Sequence, residues 1–290
     1  MATPASYTAQ GVSAESRTDL IYRGTRWLCI VVVPFLVAAF YILYLRPGDT
    51  KELFAWPLKP SMSARMLAAA YVGGIFFFTR ASFARQWHHI KLGFLPITAF
   101  SAVLCIATFL HWDKFTHDNI AFIIWVALYI AAPFLGLGAW LRNRRTDPGT
   151  PDPQDVILSR PVRYALGIVG ATMIVIGLLL FLQPDLMIST WPWTLTPLTA
   201  RVVSGMFALP GLVDLGMTFD PRWSAARIIL QSQMVSIAFI LLGAALSWGD
   251  FNQASPSTWL FVGGLGVLLV ALLVLYVVTQ AQLRKGQAIA

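Results

Sequence analysis

Two halves of this chain align with each other, and that repeat constrains the fold more than any single motif. At an offset of 137 residues Arg23 meets Arg160, Arg26 meets Arg163, Pro47 meets Pro184, Trp56 meets Trp193 and Pro60 meets Pro197. One residue shorter, at 136, Ala64-Arg65 meets Ala200-Arg201, Trp87 meets Trp223, Trp112 meets Trp248 and Phe115 meets Phe251. Chance would pair about 0.2 of the first half's tryptophans with others among the 11 in 290 residues, and three are paired. Self-similarity at a fixed period marks a duplicated structural unit.

Each half carries four apolar runs, eight in all, over about 27–45, 62–79, 92–111, 119–141, 164–182, 198–218, 228–248 and 258–280. These lengths approach the roughly 20 residues that cross a bilayer as a helix. With 57% hydrophobic and 12% charged residues, the chain lies far from a soluble domain, where about 25% are charged. The expected fold is an all-α integral membrane protein of eight transmembrane helices. Four spans per half return the chain to its starting side, so the repeats are parallel, related by a pseudo-two-fold axis along the membrane normal. Two four-helix units facing each other are expected. The divisions are a disordered cytoplasmic tail (1–26), repeat 1 (27–145), a Pro/Gly/Asp-rich cytoplasmic linker (146–157), repeat 2 (158–282) and a second tail (283–290).

The net charge of +8 does not signal a nucleic-acid partner once the charges are located. With the N-terminus cytoplasmic, fifteen lysines and arginines fall in inner segments and four in outer loops, while Arg65 and Arg201 begin helices. That is the positive-inside pattern. It places both termini in the cytoplasm of a plasma-membrane protein, with anionic lipid headgroups as the natural partners of the inner arginines. Oligomeric state is not legible. Cys29 and Cys105 sit at different depths and do not suggest a disulfide.

The segments Trp56-Pro-Leu-Lys-Pro and Trp193-Thr-Leu-Thr-Pro precede the second span of each half. Thr196-Pro197 is a good helix start, since Thr caps free N–H groups and Pro suits the first turn. Ser61 or Ser63 would serve as the cap in the first half. Arg65 and Arg201, about one turn inside these helices, are candidate ligands for an anion or lipid headgroup. Snorkelling or capping of carbonyls is the plainer alternative.

Asp214 is the only carboxylate well inside a span and would cost about 2.5–3.5 kcal/mol at the helix centre, less toward the end. It follows Pro210-Gly211, which frees backbone carbonyls. Gln231 and Gln233 on the next span, with Ser232 and Ser236, could face it as an intramembrane polar site of the kind used by coupled transporters. No span carries a histidine near its middle, so neither haem nor another cofactor or metal is expected. The default for His88, His89, His111 and His117 is an interfacial role. Phosphate-binding loops, zinc-protease motifs, nucleophile elbows and paired intramembrane carboxylates are absent from the sequence, which weighs against an enzyme. The leading expectation is a small transporter or channel-like protein for a small or anionic solute. The alternatives are a non-catalytic lipid- or partner-binding subunit and, behind it, a lipid-processing enzyme.

Overall fold

The computed structural model describes residues 18–289, with side chains to residue 285. Residues 1–17 of the tail expected to be disordered lie outside it. The described residues form ten α-helices: α1 (Arg23–Phe40), α2 (Thr50–Leu53), α3 (Ser61–Phe83), α4 (Lys91–Leu110), α5 (Ile120–Asn143), α6 (Arg160–Leu182), α7 (Pro184–Thr190), α8 (Pro197–Phe219), α9 (Trp223–Leu246) and α10 (Pro256–Ile289). A π-helical turn, Tyr41–Leu45, extends α1. Eight helices are long and apolar enough to cross a membrane; α2 and α7 are the short exceptions. Several spans begin earlier than the apolar runs, because Arg23, Lys91 and Arg160 already belong to the first helical turn.

Composition sorts the spans. In α3, α4, α8 and α9, 44–56% of the span window is buried, against 6–22% in α1, α5, α6 and α10. The second set are the four most apolar spans, so they sheath a centre made of the less apolar ones. Within each half the first span packs on the second (α1 on α3, α6 on α8) and the third on the fourth (α4 on α5, α9 on α10). The remaining extensive contacts cross between the halves, α3 with α9 and α4 with α8.

The packing units are therefore two mixed layers, α1–α3–α9–α10 and α5–α4–α8–α6, in place of the two facing sequence halves that were expected. Small residues set the closest approaches. On α6, a Cβ on Gly170 would stand 2.7 Å from the Gly211 carbonyl oxygen, and one on Gly177 would stand 3.0 Å from that of Ser204. Small residues at such seams let helix backbones meet. Gly73 does the same between α3 and α9, whereas Gly138, Gly263, Gly264 and Gly266 face open space.

One face carries both ends of the described residues, the 84–90 loop and the 144–159 linker; the opposite face gathers Trp56, Trp112, Trp191, Trp193, Trp248 and Trp259. On the tryptophan-rich face α8 is capped as expected, with the Thr196 side chain accepting from the Thr199 N–H. The first half departs from its expectation. Neither Ser61 nor Ser63 caps α3; the Met62 N–H donates instead to Asp250 Oδ2 of the other half (2.8 Å), and Ser63 Oγ accepts from Trp193 Nε1 (3.0 Å).

On the terminal face the chain is in place from Asp19, ahead of residue 27. The Asp19 N–H donates to the Thr146 carbonyl (2.9 Å), the Trp87 N–H donates to that of Asp19 (2.8 Å), and Leu20 bridges to Gln86. The linker is likewise held, by Ile157 bridging to Arg222. Both cysteines are free, Cys29 buried and Cys105 partly so.

Candidate functional site

Where the two layers meet, their contacts thin out, and a slot of about 110 Å³ remains between α3, α8, α9 and α10. Its walls are apolar, from Met66 and Met206 toward the tryptophan-rich face to Phe77 and Ile229 toward the terminal face. Four polar residues break that lining: Asp214, Ser232, Gln233 and Ser236. Asp214 is 3% exposed and lies five residues from the end of α8, about 7.5 Å along its axis. Helical geometry turns Asp214 to the same side as Pro210, one turn earlier. Leu212 and Gly216, about 200° away, line a separate cleft on the opposite face of α8.

Gln233 Nε2 donates to Asp214 Oδ1 at 3.1 Å, and Gln233 Oε1 has no partner among the described residues. Among the described residues no lysine or arginine pairs with Asp214, and Arg222 is committed elsewhere. Ser232 Oγ donates to the Gly73 carbonyl at 2.8 Å, closing the α3–α9 seam beside the slot. Asp214 and Gln233 are thus brought together and Gln231 is not: its Nε2 donates to Tyr276 Oη of α10 (2.8 Å). Two residues along a helix turn the side chain by about 200°, so Gln231 and Gln233 cannot share a face.

Arg65 and Arg201 lie apart, each at the end of a neighbouring helix in its own layer. Arg65 Nη1 donates to the Leu246 carbonyl (3.3 Å) and to Ser247 Oγ at the end of α9. Arg201 Nη1 donates to His111 Nε2 (2.7 Å) at the end of α4. Burial, and then the Arg201 charge, hold the His111 imidazole below its ordinary value, which suits an Nε2 that accepts. The Nε atoms of both arginines are buried without a partner among the described residues.

A second polar centre, which sequence reasoning missed, lines a cleft of about 470 Å³ at the terminal face. Arg222, 3% exposed, grips Asp147 with both terminal nitrogens (3.0 Å each) and Asp220 through Nε (2.9 Å) and Nη2 (2.8 Å). Lys91 Nζ bridges the same two carboxylates at 2.6 Å. Burial works against ionisation of Asp220, but Arg222 and Lys91 outweigh it and hold its carboxyl at about 2. The same balance of burial against those two cations keeps Asp147 well below the carboxylate range. The network ties α4 and α8 of one layer to the start of α9 in the other, with the linker between them. Its only sequence signal is Asp220-Pro-Arg222 at the joint between two spans, together with the acids of the linker.

The arrangement defines a class by its shape alone: an all-helical protein with eight helices of membrane-crossing length and a buried carboxylate between its layers. The chain matches no protein-family model, no curated protein and no solved structure in the comparisons made with each.

Proposed function

We propose that the protein is a multi-pass plasma-membrane carrier that moves a small cation, or a proton together with a small solute, through the slot beside Asp214. One observation carries this reading: a buried carboxylate with no basic partner among the described residues, facing a cavity between two layers. An ionised carboxylate in such a place is unfavourable unless a cation or proton compensates it, and intramembrane acids of this kind mark ion and proton pathways. Asp214, the Gln233 Oε1 that has no partner among the described residues, and the serine hydroxyls form an acceptor-rich pocket, which suits a small cation better than an anion, where a small or anionic solute was expected. At about 110 Å³ the slot has room for three or four waters at about 30 Å³ each, or for a small organic cation. An anion-holding role for Arg65 and Arg201 has less support, because one arm of each is already bonded and both Nε atoms are buried.

The two layers are the moving parts in this reading, and the Arg222–Lys91 network is the closed gate on the terminal side. A duplicated origin is supported by contacts that recur at the repeat offset. Arg65 meets Ser247 as Arg201 meets His111, and Leu20 bridges Gln86 as Ile157 bridges Arg222. The cytoplasmic placement of both termini rests on the fifteen-to-four charge distribution. Labelling of a cysteine in the linker from outside intact cells, after removal of the native thiols, would contradict it.

The functional test uses proteoliposomes with an entrapped pH-sensitive dye, an imposed membrane potential or pH gradient, and guanidinium or tetramethylammonium as labelled probes. Proton or probe flux is expected above that of protein-free vesicles and is lost in Asp214→Asn. Equal flux in wild type, variant and empty vesicles would refute the reading.

A further inference from the structure

At the terminal face three potential metal ligands converge from two segments. His88 and His89 lie in the loop that leads into α4, and Asp152 lies in the linker. Asp152 Oδ2 stands 3.1 Å from His89 Nε2 and 3.6 Å from His88 Nε2, and one donor atom from each residue falls within 4.8 Å of the others. Tetrahedral ligands at about 2.1 Å from zinc are separated by about 3.4 Å. Two of the three edges therefore already have nearly the required length.

The surroundings of His88 supply an independent observation. Its Nδ1 faces Asp19 Oδ2, its backbone N–H donates to Asp19 Oδ1 (3.0 Å), and the ring is 1% exposed. A carboxylate on the far nitrogen of a histidine fixes the Nδ1–H tautomer and turns the Nε2 lone pair toward the metal. Asp19 reaches this position with φ of 52°, a left-handed conformation that aspartate tolerates better than most residues. Ser224 Oγ, 3.0 Å from His88 Nε2, has its own acceptor in Asp155 Oδ2, so its proton need not occupy the histidine lone pair. Arg227 is the cation that faces His89, and the carboxylates of Asp19, Asp152 and Asp155 outnumber it around the cluster.

We infer that His88, His89 and Asp152 form a binding site for a divalent transition metal of the zinc class, with Asp19 as the positioning residue. Two imidazoles and one carboxylate suit zinc and its borderline neighbours better than calcium or magnesium, which take oxygen ligands. Three protein ligands leave the fourth tetrahedral position to water, on the side of Ser224. The bound ion would pin the linker to the start of α4, next to the network that joins the layers. This inference does not depend on the transport reading.

The experiment takes the full-length protein without an affinity tag, purified in detergent, stripped with a chelator and titrated with zinc or with cobalt as a spectroscopic substitute. One zinc per chain, a tetrahedral cobalt spectrum and a rise in melting temperature on zinc addition are expected. His89→Ala and Asp152→Asn should each abolish all three responses. Asp19→Asn should weaken binding about 10- to 100-fold, the usual loss for a residue that orients a ligand. His117→Ala, at an exposed loop on the opposite face, should behave as wild type. Should His88→Ala not fold, the more exposed His89 and Asp152 variants carry the test. Absence of stoichiometric binding, or equal binding by wild type, His89→Ala and Asp152→Asn, would overturn the inference.

Discussion

Replacing Arg222 with leucine tests the network at the terminal face most severely. The substitution keeps an apolar stem of moderate size but removes every donor of a guanidinium that is 3% exposed and bonded to Asp147, Asp220 and the Thr150 carbonyl. Lys91 alone would then face two buried carboxylates. Removing one partner of a buried ion pair costs about 3–5 kcal/mol, because the other charge is left uncompensated. In a chain of this size each kcal/mol is worth about 2–4 °C, so the melting temperature at neutral pH should fall by on the order of 10 °C.

The pH dependence separates this mechanism from simple loss of packing. The Asp220 carboxyl is held at about 2 in the folded protein, below its ordinary value of 3.8. A depressed pKa contributes stability that is complete above the unfolded value and is lost as pH falls through the folded one. For Asp220 that contribution is on the order of 2 kcal/mol and disappears between about pH 4 and pH 2. The leucine variant keeps only the share of that depression that Lys91 supplies and so has less of this contribution to lose. The wild-type advantage should be largest at pH 7 and shrink below pH 4. Intrinsic tryptophan fluorescence during heating in detergent, at one scan rate across pH 3–7, reads both effects. A neutral-pH difference under 1 kcal/mol, or one that stays constant over the range, would refute the reasoning.

Three further outcomes follow from the packing. Gly73→Val places its Cβ 1.9 Å from Ser236 Oγ and 3.0 Å from the Ser232 carbonyl oxygen, so overpacking should cost about 1–3 kcal/mol. Ser236→Ala should recover only part of that loss, as thermal melts would show, because the backbone contact remains. Asp250→Ala should lower stability by about 0.5–2 kcal/mol, the value of a helix cap, although residue and helix belong to different halves. Lysine at both 65 and 201 keeps the charges but loses the planar fork that reaches His111 and the end of α9; unchanged stability and activity of the double variant would identify snorkelling as their role.

The spans were legible because apolar run length is a property of the sequence alone, and Thr196-Pro197 announces its helix through local capping chemistry. The mixed layers were not legible. Nothing in a 20-residue apolar run says which other run it will meet, and the glycines at the seams between halves, Gly205 against Leu104 and Gly73 against Ser232, resemble those that face open space. The candidate site was half legible. Asp214 stands out as an acid within an apolar run, and the helical period separates Gln233 from Gln231 once one of them is known to face inward. The terminal-face centres stayed hidden because their residues come from the tail, a loop, the linker and a joint between spans. Counting arginines for topology also set aside the aspartates that neutralise them.

Exchange of helices between the halves has a consequence for how the protein is made. α3 needs α9 to cover its Gly73 face and α4 needs α8, yet 163 residues separate the end of α3 from the end of α9. At about 5–20 residues per second, α3 waits roughly 10–30 s after synthesis for its neighbour. It is also among the least apolar of the eight long helices, so of these it gains least from an apolar surrounding during that interval. The first half, released alone, would leave the seam faces of α3 and α4 uncovered. Biogenesis therefore belongs to the completed chain, with the last helices sealing the first.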